Sequence, residues 1–344
     1  MSNTAMALAP SDQVDLVGAA PKPEGMAFTF GDPESVLDGR ELLDYTESAW
    51  NGTWYDTPVS FNGLARTFRA STHHSSAIFV KRNILVSTFR PHRLLSRDQF
   101  SRYALDSLVF GNAYLARVDS VSRRTMRLER RMAKYVRRGQ GDQFFQVNAF
   151  GDAFEFPAGS IFHQQDADID QEVYGLPEYL SALSSALLNE SATLFRRRYY
   201  LNGSHAGYIL YLSDAVHNAT DVEGLRDAMK RSKGPGNFRN LFMYAPNGKK
   251  DGVQVIPLSE VTAKDEFFNI KNITRDDILA AHRVPPQLLG IVPSNSGGFG
   301  AIAPAAMVFA ANELLPLQAR LAAVNEWIGE EVVAFDPYQV GRET

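Results

Sequence analysis

The chain contains 344 residues, of which 35 are Lys or Arg and 39 are Asp or Glu, so its formal net charge is −4. This length suffices for two or three cores, and the slight acidic excess excludes a globally basic nucleic-acid-binding protein. The absence of cysteine excludes disulfides, thiolate catalysis and cysteine-ligated zinc. No apolar run approaches the roughly 20 residues that cross a bilayer, which predicts a protein without membrane contact.

The N-terminal half divides by composition into an arm and a folded domain. Residues 1–25 are rich in Ala and Pro and poor in large apolar side chains, which predicts a flexible arm. From 26 to 176, helix and strand signals alternate, as in an α+β domain. Ser96 is expected to cap a helix that ends at Phe110, and a strand should follow over residues 112–118. Further short strands are predicted at residues 144–147 and 153–156.

The most charged part of the chain is the run 123–138, with eight basic residues and one Glu. One interpretation is contact with nucleic-acid phosphates. The other is a solvated strand or helix face whose cations pair with acidic residues of a neighbouring subunit. Because no base-reading element accompanies the run, we favour the second interpretation.

The short stretch around residues 161–170 carries the candidate metal or acid–base residues. They are His163, Asp166, Asp168 and Asp170. An imidazole and carboxylates can bind a divalent ion or transfer protons, but this stretch lacks the glycine and bidentate Glu of an EF-hand loop. We therefore favour a plain linker. The adjacent His73 and His74 are a weaker candidate, because neighbouring side chains diverge.

The second half begins with a long amphipathic helix predicted from Pro177 to Leu201, about 37 Å at 1.5 Å per residue. Pro177 suits a first helical turn, and Asn202-Gly203 suits a helix end. Residues 204–262 then alternate as three strands and one helix, with the helix at 220–230, which predicts a small α/β module. A second helix is expected to begin at a cap at Thr274 and to stop before Pro285-Pro286. Two helices that flank an insert most simply run antiparallel.

The C-terminal part reads as a loop and then a long helix. Residues 290–304 are too rich in Gly, Ser and Pro for regular structure and contain no basic residue. From 305 to 330, apolar residues recur in heptad-like steps, and Pro316 predicts a kink. The stripe comprises Ala310, Leu314, Leu317, Leu321, Val324 and Ile328.

Three stretches resemble the portal proteins of tailed bacteriophages, in the PBSX-type branch of contractile-tailed phages. They are FGNAYLARV at 110–118, FRRRYYLNGSHAGYIL at 195–210 and TRDDILAAHRVPPQLLGI at 274–291. The resemblance implies an α+β portal-type subunit with an α/β wing, two long antiparallel stem helices, a small α/β clip and a kinked channel helix. Its implied segments are an arm (1–25), wing (26–176), first stem helix (177–203), clip (204–262), second stem helix (263–289), tunnel loop (290–304), channel helix (305–330) and short tail with a minimal crown (331–344).

The resemblance also implies a function and partners. Copies of the chain, usually twelve, would form a ring at one capsid vertex through which double-stranded DNA is packaged and ejected. The ring would contact terminase, major capsid and scaffold proteins, and head-completion or adaptor proteins. Its location would be the virion, and the host cytoplasm during assembly. No cofactor and no metal are expected.

Two groups of residues are implied to act in such a ring. The stem residues Arg196, Arg197 and Arg198 would bridge to Asp276 or Asp277 of a neighbour, although cations also suit a solvated helix C-terminus. The tunnel loop would line the DNA channel with Ser294, Asn295, Ser296, Gly297, Gly298, Phe299 and Gly300.

The sequence lacks the motifs of common catalytic sites. It contains no G-x-x-x-x-G-K-[ST], G-x-S-x-G or H-E-x-x-H motif, so we expect no catalytic residues and no enzyme activity. Two alternatives remain: a metal-dependent hydrolase that uses His163, Asp166 and Asp168, or another virion structural or connector protein.

Overall fold

A computed structural model describes residues 26–28, 48–147, 152–201, 208–212, 241–244, 253–257, 261–291 and 302–339. The chain divides into two compact units. Unit 1 comprises Met1–Asp32 and Arg198–Glu260, and unit 2 comprises Pro33–Arg197 and Val261–Thr344.

The described elements are helices and mostly short strands, with six strands in succession after the third helix and a helical C-terminal part. The α-helices are α1 (Phe61–Thr67), α2 (Thr72–Thr88), α3 (Arg97–Phe110), α4 (Leu183–Leu201), α5 (Val261–Ala281), α6 (Ile302–Phe309), α7 (Leu315–Ala322) and α8 (Val324–Ile328). The strands are β1 (Met26–Phe28), β2 (Phe89–Arg90), β3 (Asn112–Asp119), β4 (Thr125–Arg131), β5 (Val136–Arg138), β6 (Phe144–Val147), β7 (Ala153–Glu155), β8 (Ile161–Gln165), β9 (Tyr208–Leu212), β10 (Leu241–Tyr244), β11 (Val253–Pro257) and β12 (Ala334–Phe335).

Local signals placed α3 and β3 correctly. The Ser96 side chain accepts a hydrogen bond from the Gln99 amide at 3.3 Å, as an N-cap should. Gly111 ends α3 in the left-handed region, with φ of 64°. The chain then reverses into β3, which pairs antiparallel with both β4 and β8. The two shorter predicted strands are also confirmed, as β6 and β7 in a sheet of order β5-β6-β7.

Strand β3 forms a wall between two hydrophobic cores. Successive side chains of a strand point to opposite faces. Accordingly, Ala113 and Leu115 belong to one core, whereas Tyr114 and Ala116 belong to the other. Residues 112–116 are all buried, so β3 is covered on both sides.

The heptad-like stripe of the C-terminal helix packs against the first of these cores. Leu314, Leu317, Leu321 and Val324 are all at most 3% exposed. They pack with side chains that include Leu85, Phe89 and Phe100 from α2, β2 and α3. Four of the six stripe residues are therefore buried, Ile328 packs partly buried against the same core, and Ala310 lies outside it.

The first long helix begins later than predicted. Pro177 lies outside it, and a 3₁₀ turn at Leu180–Ala182 precedes α4. The cause is tertiary hydrogen bonding: the Gly175 amide donates to Asn112 Oδ1 at 2.8 Å, and the Tyr179 hydroxyl donates to the Val109 carbonyl. These contacts hold the segment before the helix against α3 and β3. At 1.5 Å per residue, α4 is about 28 Å long instead of about 37 Å.

The second long helix runs through the residue expected to cap it. Helix α5 spans Val261–Ala281, and Thr274 lies in its middle, 2% exposed. The Thr274 hydroxyl accepts a hydrogen bond from Asn189 Nδ2 at 2.8 Å, which ties α5 to α4. Asn189 Oδ1 in turn accepts from Ser71, the N-cap of α2, at 3.2 Å. The cap prediction was wrong because this polar side chain joins two helices.

The C-terminal helix contains a π-helical turn at Ala310–Leu314, directly before Pro316. Proline cannot donate to the carbonyl four residues earlier, so a changed hydrogen-bond ladder at this place agrees with the predicted interruption. The helix begins at Ile302, inside the predicted loop 290–304.

Among the described residues, Ile302–Ile328 is the one helical run that length and apolar composition would let cross a membrane, with a mean hydropathy of 1.2. Its buried stripe accounts for part of this apolar character.

Unit 1 contains a mixed sheet of order β1-β10-β9-β11. Strands β9 and β10 are parallel, and the connection between them, residues 213–240, is long enough for the crossover that parallel strands need. Strands β9, β10 and β11 were predicted. The residues of β1 were assigned to the wing, but they pair with β10. The exposed edge of β10 can bind a strand of three residues through backbone hydrogen bonds alone. The predicted helix at 220–230 lies outside the described residues.

Candidate functional site

A cluster of six charged side chains joins five separate segments of unit 2, and we call it the charge cluster. Three members are acidic and three basic, so their formal charges cancel. The members are Lys81 on α2, Asp166 after β8, Glu178 before α4, Arg283 after α5, and Glu313 and Arg320 on the C-terminal helix.

Glu313 is the most deeply placed acid of the cluster. The π-helical turn directs its side chain inward, where it is 5% exposed and forms an ion pair with Lys81, itself 6% exposed. Its second oxygen lies 3.1 Å from Arg283 Nη1. Burial lowers the pKa of the Lys81 ammonium, and Glu313 opposes that shift. Each of the two buried charges therefore compensates the other for the loss of contact with water.

Glu178 bridges the two arginines of the cluster. Its carboxylate accepts hydrogen bonds from Arg283 and from Arg320. Partial burial would raise the pKa of Glu178, but these two guanidinium groups outweigh burial and lower it to about 2. Asp166 completes the chain of charges, with its Oδ1 3.8 Å from Arg320 Nε. Burial raises the pKa of Asp166, and Arg320 opposes the rise.

Arg283 holds a backbone conformation that L-residues seldom adopt. It ends α5 with φ of 53°, where glycine is the usual residue. A non-glycine residue in this region costs roughly 1–2 kcal/mol. The ion pairs from Arg283 to Glu178 and Glu313 hold the residue there. The end of α5, the segment before α4 and the C-terminal helix are thus fixed to one another.

The cluster is built for structure and not for ligand binding. The space among its side chains is about 20 Å³, room for one water molecule. No organic cofactor fits there. The arrangement ties α2, the end of α5, the segment before α4 and the C-terminal helix to one another through ion pairs.

The structure places His163 in the core. Its ring stacks on Tyr114 with 4.4 Å between centroids, and Nε2 lies 2.9 Å from Asn112 Oδ1. That oxygen accepts hydrogen bonds, because Asn112 Nδ2 donates to two backbone carbonyls; His163 Nε2 therefore carries the proton. Its Nδ1 is buried without a partner. Burial, together with Arg138, lowers the pKa of His163 to about 3.

His163, Asp166 and Asp168 do not come together as a metal site. Asp166 faces Arg320, whereas Asp168 Oδ1 accepts a hydrogen bond from the Asp170 amide at 2.9 Å. Among the described residues, no group of three His, Cys, Asp or Glu side chains could hold a metal ion. The arrangement gives the metal-dependent hydrolase no support.

The stem residues predicted to bridge between subunits have partners within the chain. Asp276 pairs with Arg275 at 2.8 Å, and Asp277 accepts a hydrogen bond from Ser185 at 3.1 Å. Arg196 and Arg197 are exposed. The Arg198 side chain and the tunnel-loop residues 294–300 lie outside the described residues. The bridges between subunits therefore stay predictions.

The basic run 123–138 pairs largely within the fold. Arg130 Nη2 lies 2.5 Å from Asp106 Oδ1, and Asp106 is 2% exposed. Arg127 and Arg131 both pair with Glu129, at 2.6 and 3.1 Å. Part of the run therefore lies on a strand whose cations pair within the chain, and pairing with a neighbouring subunit stays a prediction.

Sequence reasoning missed a buried histidine pair beside the charge cluster. His282 Nε2 lies 2.9 Å from His74 Nδ1, so a single proton occupies the gap. Burial lowers the pKa of His74 to about 4. For His282, burial and the nearby His74, Lys81 and Arg283 lower the pKa to about 2. The only available signal was the His73-His74 dipeptide, whose two side chains do diverge: His74 is buried and His73 is partly exposed.

His163 makes stability depend on pH. Its folded-state pKa lies below the ordinary 6.5, so the unfolded chain takes up the proton first as the pH falls. Its contribution is complete above pH 6.5 and is lost between pH 6.5 and about 3. We expect His163→Gln, which keeps a donor for Asn112, to reduce the dependence of the free energy of unfolding on pH by about 1.4 kcal/mol per pH unit in that range. Urea unfolding at pH 7.5, 6 and 5 measures this free energy for both proteins. An equal change with pH in the two proteins would contradict the prediction.

Comparison with known proteins gives one consistent result. A family model described as "Phage portal protein" matches residues 85–337. A "Probable portal protein" of Escherichia phage P2 is 56% identical over 326 residues, which cover 94% of each chain. A second "Probable portal protein", from Haemophilus phage HP1 (strain HP1c1), is 34% identical over 296 residues and covers 84% of this chain and 86% of its own length.

A solved structure shares the fold at low sequence identity. A chain in the neck of a native gene transfer agent particle, computed with C12 symmetry, superposes with a TM-score of 0.55 and 18% identity. The match covers 82% of this chain and 86% of that chain.

Proposed function

The chain belongs to the phage portal protein family, and on that premise we propose that twelve copies form a ring at one capsid vertex through which double-stranded DNA is packaged and ejected. The observation that carries this proposal is the 56% identity to the phage P2 portal protein over 94% of both chains. The number twelve is taken from the C12 symmetry of the gene transfer agent neck that shares the fold.

A closed ring of identical subunits needs two different, complementary faces on each chain. One candidate face lies on the C-terminal helix, opposite its buried stripe. Met307, Val308 and Leu315 are 72, 60 and 59% exposed there. Met307 and Leu315 line an open groove, together with alanines of α6 and of the π-helical turn and with Tyr338. Large exposed apolar side chains in one contiguous patch are typical of protein interfaces, which supports burial against the next subunit.

We assign the parts of the subunit in the same proposal. Unit 1 would be the clip, α4 and α5 the stem, and the helix from Ile302 to Ile328 the channel helix, with a minimal crown after it. Residues 294–300 would line the channel, where the lack of basic side chains lets a duplex slide. Arg196–Arg198 would bridge to Asp276 or Asp277 of a neighbour, and the subfamily would be the PBSX-type branch.

The proposed ring is passive and needs partners. Terminase would supply the motor, head-completion or adaptor proteins would seal the ring, and major capsid and scaffold proteins would surround it. No catalytic residue, metal or cofactor enters this proposal. The protein would reside in the virion, after assembly in the host cytoplasm.

Native mass spectrometry with negative-stain imaging tests the ring. We expect twelve subunits around a central hole for the unmodified protein, in the presence of scaffold if the protein alone stays monomeric. Met307→Lys with Leu315→Lys should abolish the ring, because two charges would be desolvated at each contact.

Val121→Lys with Met126→Lys is the matched control, since both side chains are exposed and lie on or next to β4 and not on the C-terminal helix. A ring of another rotational order would favour a different virion structural protein. Equal assembly of both variants would reject the channel-helix face as the interface.

A further inference from the structure

The segment from Thr57 to Arg97 contains no acidic residue. Its 41 residues hold seven Lys or Arg side chains and three histidines, although the whole chain carries a net charge of −4. This segment includes α1 and α2 and ends at the start of α3. Positive charge is therefore concentrated locally on this part of unit 2.

Three of the seven cations pair with carboxylates outside the segment, and a fourth is bonded to a backbone carbonyl within it. Lys81 pairs with Glu313, Arg93 lies 2.9 Å from Glu330, and Arg90 lies 3.9 Å from Asp336. Arg97 donates to the Phe89 carbonyl at 3.2 Å. The other three are Arg66, Arg69 and Arg82, which we call the arginine patch. Among the residues that the structure describes, no carboxylate contacts any of the three.

Two guanidinium groups of the patch lie on a pair of aromatic rings. Phe68 and Phe79 meet edge to face, with 5.2 Å between centroids. The Arg69 guanidinium carbon lies 5.4 Å from the centre of Phe68, and that of Arg82 lies 4.7 Å from the centre of Phe79. Both distances are within the cation–π range of about 6 Å. Stacking orders the flat guanidinium groups without using their N–H donors.

Arg66 extends the patch along α1. It is exposed in the last turn of that helix, and its carbonyl accepts the Arg69 amide at 3.1 Å. Among the described residues, one carboxamide competes for these donors: Arg82 donates to Asn83 Oδ1 from Nε at 3.1 Å and from Nη2 at 2.6 Å. Three guanidinium groups without carboxylates, two of them ordered by stacking, form a surface for an anionic ligand.

The surroundings favour phosphates over a protein surface. No large apolar residue between Thr57 and Arg97 is exposed, whereas protein interfaces have an apolar centre. The exposed neighbours Asn62, Thr72 and Asn83 are uncharged polar residues of the kind that contact phosphate oxygens. No side chain here is placed to read base edges. We propose that the arginine patch binds the phosphate backbone of duplex DNA without sequence preference.

This inference goes beyond passage of DNA through a ring, because it places a contact on α1 and α2 and not on the tunnel loop. It does not depend on the number of subunits. A phosphate contact here makes binding strongly salt-dependent, since each neutralised phosphate adds about 0.9 to the slope of log K against log salt concentration.

The test is fluorescence anisotropy of a labelled duplex of random sequence, titrated with the full-length protein at several NaCl concentrations. We expect the triple variant Arg66→Gln, Arg69→Gln, Arg82→Gln to bind at least about tenfold more weakly at low salt and to lower the salt slope by about 2–3. The triple Arg→Lys variant keeps the positive charge but loses the planar, stacked guanidinium groups. Its affinity for the duplex should therefore lie between that of the unmodified protein and that of the triple Gln variant.

The matched control replaces Arg93, Arg102 and Arg127 with Gln. These arginines are exposed but paired with carboxylates, and the change in net charge is the same. An equal loss of affinity in the control would overturn the proposal, as would the absence of duplex binding by the unmodified protein. Equal competition by polyglutamate at matched charge would show an acidic protein surface to be the ligand. Native mass spectrometry of the same variants reports ring assembly separately, so failure of the DNA contact and failure of the ring are distinguishable.

Discussion

Replacing Glu313 with Gln is expected to lower the free energy of unfolding of unit 2 by about 3–5 kcal/mol, the usual cost of removing one partner from a buried ion pair. The substitution preserves shape and removes only the charge. Lys81, 6% exposed on its side chain, then loses the carboxylate that compensates its desolvation. Arg283 also loses one of the two ion pairs that hold its left-handed backbone.

Urea unfolding followed by tryptophan fluorescence measures this loss. All three tryptophans, Trp50, Trp54 and Trp327, lie in unit 2, so the signal reports that unit. Glu330→Gln is the control, because the Glu330 side chain is 39% exposed and its ion pair should contribute no more than about 1 kcal/mol. Equal effects of the two substitutions would show that the charge cluster does not stabilise the fold.

A double substitution distinguishes the cost of an unpaired buried charge from the contribution of the ion pair itself. Lys81→Met with Glu313→Leu replaces the buried pair by apolar side chains of similar size, and such replacements are often neutral. We expect it to recover most of the lost stability. A double variant as unstable as Glu313→Gln would mean that the pair itself, and not the isolated lysine, determines the loss.

Gly111→Ala is expected to destabilise unit 2 by roughly 3 kcal/mol or more, through overpacking added to backbone strain. A Cβ atom at Gly111 would lie 2.5 Å from the Leu176 carbonyl carbon and 2.6 Å from the Pro177 nitrogen. Both are backbone atoms of the segment that leads into α4, so neither can move away by a change of side-chain rotamer. The α3–β3 turn and that segment would have to separate.

Gly159 provides a matched control for this prediction. Its φ of 67° is close to the 64° of Gly111, but a Cβ there would meet nothing within 4 Å. Gly159→Ala should therefore show the backbone strain alone, about 1–2 kcal/mol. The same urea unfolding assay compares the two, and equal losses would contradict the close approach at Gly111.

Local signals predicted much of the fold. The Ser96 cap depends on residues close to it in sequence, and the heptad-like stripe on the period of one helix; the cap was found where expected, and four of the six stripe residues are buried. The predictions of a first helical turn at Pro177 and of an N-cap at Thr274 were wrong because tertiary contacts determine the structure at both places. The segment at Pro177 is held by backbone-directed hydrogen bonds to α3 and β3, and Thr274 ties two helices.

The charge cluster had no sequence signal. Lys81 and Glu313 are 232 positions apart, and nothing near either residue marks it as buried. Strand β1 was missed for a related reason: three residues carry no periodicity, and their pairing with β10 depends on a distant edge. The family motifs in the sequence predicted membership of the portal family, but not how the long helices are joined.

The π-helical turn at Ala310–Leu314 bears on which changes of length the chain can tolerate. In a regular α-helix, deleting one residue rotates everything beyond it by about 100°, which would carry Leu317 and Leu321 out of the core. A π-helical turn already contains one surplus residue. Deleting that residue would restore regular winding while Phe309 and Leu317 both still face the core. A homologue one residue shorter here could thus keep both flanking faces and would lose only the inward position of Glu313.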